Sequence, residues 1–111
     1  EAAFRAHLVR LATAGELGPD IVDVGRWWRD SPSVEIDAVA LGGRSRRPVL
    51  AGEAKWARRV DARRVVRDLA AKTGALPGAP ADIRLAVAAR GEVSHVPEGV
   101  LAVTAREVFG G

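Results

Sequence analysis

Two stretches decide how this chain is read: residues 33–41, SVEIDAVAL, and residues 49–57, VLAGEAKWA. Both are built from the Val, Ile, Leu, Ala and Gly of buried strands. Yet Glu35 and Asp37 interrupt the first, and Glu53 and Lys55 the second. Charge in such segments is costly unless it is paired or bound to something. Either these side chains lie on a solvated face, or they converge on a site. With side chains alternating along a strand, Glu35, Asp37, Val39 and Leu41 point one way, and Val34, Ile36, Ala38 and Ala40 the other. In the second stretch Val49, Ala51, Glu53 and Lys55 share a face opposite Leu50, Gly52, Ala54 and Trp56.

Working outward, GGRSRRP at residues 42–48 reads as a basic hairpin loop joining the two strands. Upstream, RDSPS is turn chemistry, and DIVDVGRWW at residues 20–28 is a further strand. Phe4, Leu8 and Leu11 recur at helical spacing before it, with Gly15 as the stop. Downstream, Asp61 caps a helix whose stripe is Val65, Val66 and Leu69 and which ends at Gly74. IRLAVAA at residues 83–89 is apolar enough to be covered on both faces, and VLAV at 100–103 is a shorter strand. Thr104 and Glu107 spell a capping box for a last helix through Phe109. The order α-β-β-β-α-β-β-α predicts an α/β domain with a mixed central sheet flanked by helices.

The 111 residues suffice for one domain, 1–111. There is no Cys, hence no disulfide frame or thiolate metal site. No apolar run approaches the roughly 20 residues of a membrane helix, so no membrane partner is expected, and the absence of Cys makes a reducing, cytoplasmic setting the expectation. A chain that opens with Glu1 inside a helix and lacks Met is expected to be a segment of a longer protein. Of 17 basic residues two are Lys and 15 Arg, with a net charge of +3 and a pI near 10.5. A polyanionic partner such as DNA follows, unless the arginines merely reflect biased composition.

If the two charged strands pair as a hairpin, Asp37 and Glu53 lie side by side. Two carboxylates held that way repel unless a cation sits between them, and a hard divalent ion, Mg²⁺ or Mn²⁺, suits oxygen donors. Lys55, one pleat beyond Glu53, would place a compact positive charge near a phosphate oxygen. In a chain that otherwise uses Arg, a lysine there is informative. The plainer alternative is an ion pair on a solvated face, or Lys55 stretching past Trp56.

The ordered set VEID … GEAK resembles the PD-(D/E)XK phosphodiesterase superfamily, whose members include restriction endonucleases and archaeal Holliday-junction resolvases. More closely, VGRWW … VEIDAVAL … GEAKW is similar to the uncharacterised nuclease-like domain at the C-terminus of archaeal-type ATPases, which also occur in bacteria. The resemblance covers nearly the whole chain and is densest over residues 25–76. It implies a restriction-endonuclease-like core (α-β-β-β-α-β) and a divalent-metal-dependent DNA endonuclease attached to an ATPase domain of the same chain. In it Asp37 and Glu53 would be metal ligands and Lys55 the catalytic lysine. Glu1 would match an acid on the first helix. Glu35, on Asp37's face but a pleat away, is auxiliary or merely solvated. Lys72 would match a polar residue on the helix after the E-x-K strand, or else face solvent at the helix end. The first acid stands in Glu35-Ile36-Asp37 without the Pro-Asp pair of the superfamily's name. The alternative is an inactive module of the same fold that binds DNA, regulates or forms a homodimer.

Arg44, Arg46 and Arg47 form either a solvated hairpin tip or a phosphate clamp, and Arg58 and Arg59 follow the E-x-K strand as further candidates for nucleic-acid contact. Adjacent Trp27 and Trp28 must face opposite ways, one of them available for stacking on a base. Neither His7 nor His95 has a second His nearby to make a metal or nucleophilic site.

Overall fold

The computed structural model describes residues 2–18 and 20–109. In chain order these form α1 (Ala2–Thr13), β1 (Ile21–Asp30), β2 (Ser33–Gly42), β3 (Arg47–Lys55), β4 (Arg59–Asp61), α2 (Ala62–Thr73), β5 (Arg84–Ala89), β6 (Glu92–Ser94), β7 (Leu101–Thr104) and α3 (Ala105–Phe109). The main sheet has the order β1-β2-β3-β5-β7. β1, β2 and β3 pair antiparallel, whereas β5 lies parallel to β3 and to β7. The fold is thus α/β with a mixed five-stranded sheet flanked by helices, as the element order implies. A small parallel pair, β4 with β6, goes beyond that expectation, because three-residue strands carry too little pattern to be seen.

Each helix is started or stopped by the expected chemistry. The Asp61 carboxylate accepts the Arg63 amide at 3.0 Å and caps α2. Glu107 accepts both the Thr104 amide, at 3.1 Å, and its hydroxyl, at 3.2 Å, opening α3. Gly15, at φ +79, takes the left-handed turn that follows α1.

One face of the sheet packs Ala38, Ala40, Leu50, Ala86, Ala88 and Val103 against Phe4, Leu8 and Val108 of α1 and α3. The other packs Ile36, Val39 and Ala51 against Leu69 of α2 and Leu76 beyond it. β5 is covered on both faces, with Ala86, Val87, Ala88 and Ala89 all at 0% exposure, which explains its unbroken apolar run.

Strict alternation, which would set Ile21 opposite Val24 in β1 and Ile36 opposite Val39 in β2, is corrected at two points. Ile36 belongs with Val39 on the α2 face, and Ile21 with Val24 on the α1 face. The pairing register gives the reason. Between Gly25↔Val39 and Trp27↔Ile36, three steps of β2 answer two of β1, and a second slip lies between Ile21 and Asp23. These are β-bulges, which insert a residue and reverse which face follows. In β3, by contrast, the alternation from Leu50 to Trp56 holds.

Two measurements test this packing. A Cβ on Gly52 would stand 2.8 Å from Cε2 and Cζ of Phe4, a ring with no exposure. Gly52→Ala is therefore expected to cost about 1–3 kcal/mol in chemical denaturation, the usual penalty of overpacking. His7 is buried on α1, and desolvation, helped by the Arg10 charge, holds its pKa below the ordinary 6.5. Below that pH the unfolded chain takes up a proton that the folded chain resists, so this contribution is fully present above about 6.5 and erodes as the pH falls. His7→Gln should flatten the fall of melting temperature between pH 7 and 5.

Candidate active site

The β2–β3 ladder runs from Gly42↔Arg47 to Ala38↔Gly52 and stops. β3 continues for three more residues, but only on its other side, where Glu53, Ala54 and Lys55 pair with Val87, Ala88 and Ala89. The result is a notch between the two strands. Asp37 sits at its head on the β2 bulge, and Glu53 and Lys55 lie on the opposite wall.

Backbone groups stranded by the bulge need partners, and the site residues provide them. Asp37 Oδ2 accepts the Ala54 amide at 2.9 Å, taking the place of a ladder bond. The carbonyl of Asp37 accepts Arg5 Nη1 from α1 at 2.8 Å. Arg5 carries no mark in the sequence. It is one of 15 arginines, and no spacing marks it, because its partner lies across a bulge.

Glu53 is 4% exposed, yet it is a carboxylate in a strand interior. Lys72, near the end of α2, approaches Glu53 Oε1 at 2.7 Å. The lysine is therefore turned onto the sheet, not outward at the helix end. α2 brings it there because Val65 and Leu69 bury one stripe of the helix, and Lys72 continues that stripe three residues beyond Leu69. Lys55 is exposed, on the same face as Glu53 by alternation. Glu35 is exposed and pairs across to Trp28, one pleat from the notch. Glu1 lies outside the described residues.

The two carboxylates fit a hard divalent ion by donor type. Each has one oxygen engaged by the protein, Oδ2 of Asp37 and Oε1 of Glu53, and a second oxygen with no hydrogen-bond donor among the described residues. Among the described residues no three His, Asp or Glu side chains gather into a cage. Two protein carboxylates with water and phosphate completing the shell is the habit of Mg²⁺.

The arginine clusters separate. Arg44, Arg46 and Arg47 occupy the far end of the hairpin, roughly 20 Å along β2 from Asp37 at about 3.3 Å per residue. Arg46 is also held by Asp23 at 2.9 Å. Arg58 and Arg59 instead leave the site end of β3 directly. Of the two tryptophans, Trp27 packs beside the Ile36 cluster, while Trp28 is 57% exposed with the Arg26 guanidinium 4.8 Å from its ring centre.

Residues 1–65, which include the notch and its hairpin, match the model of DUF234, archaea bacterial proteins of unknown function. The chain belongs to that family. No curated protein and no solved structure matches it. The matched segment of this DUF234 domain holds Asp37, Glu53 and Lys55, while Lys72 lies beyond it.

The Lys72–Glu53 pair makes a testable contribution. Removing one partner of a fully buried pair costs about 3–5 kcal/mol. With the Lys72 side chain 31% exposed, Lys72→Met is expected to cost less, about 2–3 kcal/mol by the same reasoning. Adding Glu53→Gln should recover much of it, a coupling read from a double-mutant cycle in urea.

Proposed function

We propose that this domain hydrolyses phosphodiester bonds in DNA with a divalent metal ion, in the manner of the PD-(D/E)XK nucleases, and serves an ATPase carried by the same chain. The observation that carries this reading is the notch. Two carboxylates on adjacent strands flank the point where the ladder stops, and a lysine stands two residues past the second. The mixed sheet with α1 and α2 on opposite faces is compatible with a restriction-endonuclease-like core.

In this reading Asp37 and Glu53 would hold Mg²⁺ or Mn²⁺. The ion, when bound, would supply Lewis acidity toward the phosphate. The chain's own residues do the rest. Ala54 N–H orients the Asp37 carboxylate and Lys72 fixes Glu53. Lys55 presents an exposed ammonium to the charge that grows on the phosphate oxygens. Hydrolysis adds water across one P–O ester bond: the water oxygen joins phosphorus, its proton is lost to solvent, and the departing oxygen gains one.

Expected outcomes are Mg²⁺- or Mn²⁺-dependent cleavage of single-stranded, duplex or branched DNA, and its loss by at least 100-fold, a typical scale for such charged groups, in Asp37→Asn, Glu53→Gln and Lys55→Ala. Cleavage persisting in all three would exclude the notch. One observation favours a second reading, an inactive module of the same fold: Lys72 already neutralises Glu53. Titration calorimetry separates the two, since that module would take up neither Mg²⁺ nor Mn²⁺ at the notch.

A further inference from the structure

Immediately past Lys55 the chain enters a loop that is locked to the loop following β5. The Arg90 amide donates to the Ala57 carbonyl at 3.0 Å, and the Glu92 amide to the Arg58 carbonyl at 2.9 Å. Gly91 makes this closeness feasible, because a Cβ there would stand 2.6 Å from the Arg58 carbonyl oxygen. The β4–β6 pair extends the seam, with Arg59↔Glu92 and Val60↔Val93 in register. Two loops from the carboxyl ends of parallel neighbours β3 and β5 are thereby fixed side by side, the end of an α/β sheet where ligands are generally received.

Three exposed arginines decorate the seam: Arg58, Arg59 and Arg90. Arg59 leans on Glu92 at 3.8 Å. Arg58 and Arg90 have no ion-pair partner among the described residues, although they come from backbones in hydrogen-bonded contact. A shallow groove on the seam is lined by Arg58, Arg59, Gly91 and Glu92. Two like charges held on one rigid seam repel each other, and a polyanion relieves that repulsion.

We propose that Arg58 and Arg90 form a rail for the DNA backbone beside the notch, engaging phosphates next to the one at Lys55. The proposal rests on the nucleic-acid reading above and sharpens it. Guanidiniums on exposed loops grip phosphates, which position a substrate without specifying its sequence. The substrate class is therefore DNA held by its backbone, irrespective of base sequence. Arg90 lies 35 positions after Lys55, beyond the hairpin motif, and only the loop pairing brings it there.

The test is fluorescence anisotropy of the folded domain with labelled DNA of two unrelated sequences, in EDTA, from 50 to 200 mM salt. Because no metal is present, this readout is independent of cleavage. Arg58→Ala and Arg90→Ala should each lower the slope of log K against log salt by about 0.9, and the double variant by about 1.8. Arg90→Lys, which keeps the charge, should retain the slope, and both sequences should behave alike. An unchanged slope in the double variant overturns the rail even if the notch cleaves DNA. So does a loss confined to one sequence, or polyglutamate of matched charge binding with the same dependence on the two arginines. An altered slope without any metal-dependent cleavage would leave the rail standing and refute the nuclease.

Discussion

The site depends on one interaction, the hydrogen bond from the Ala54 amide to the Asp37 carboxylate. A bulge in β2 ends the β2–β3 ladder and would leave buried backbone groups without partners. An unmet buried donor costs about 1–3 kcal/mol, so the divergence of the strands is tolerable only because a side chain intercepts the freed amide. Asp37 does this with one oxygen, while Arg5 meets the Asp37 carbonyl from the other side. A strand divergence, a helix contact and a fixed carboxylate are thus a single arrangement. An apolar residue at position 37 would leave both the amide and the notch unfilled.

Burial of Glu53 poses the complementary problem. A lone ion there would be prohibitive, and Lys72 answers it at 2.7 Å from α2. The helix is thereby tied to the sheet by charge at one point and by Leu69 and Val65 elsewhere. The pair does not make the fold strong by itself, since two desolvated charges largely offset their attraction. What it does is hold a buried carboxylate in place through the Lys72 ammonium.

Much of this was legible before the structure. Asp37, Glu53 and Lys55 stand out because they are charges inside apolar strands. The caps at Asp61 and Glu107 are local chemistry and could be read residue by residue. What could not be read came from non-local pairing. The bulges that send Ile36 and Ile21 to the other face leave no mark, because Val, Ile and Ala fit either side. Lys72 has two readings that only the packing of Val65 and Leu69 decides, and Arg5 and Arg90 are indistinguishable from a dozen other arginines by composition. Strand pairs as short as β4 and β6 form because neighbours hold them, not because three residues prefer to extend.

The two basic clusters show why placement outweighs composition. A count of arginines treats the hairpin tip and the loop after β3 alike. The ladder puts the first at the end of the hairpin away from Asp37, with Arg46 already spent on Asp23. The second leaves β3 three residues after Lys55, where the parallel partner β5 also ends. Attraction between charges falls with distance and is largely screened beyond about 8–10 Å in physiological salt. Of the two clusters, only the second follows the site end of β3, and the sheet's own register decides that.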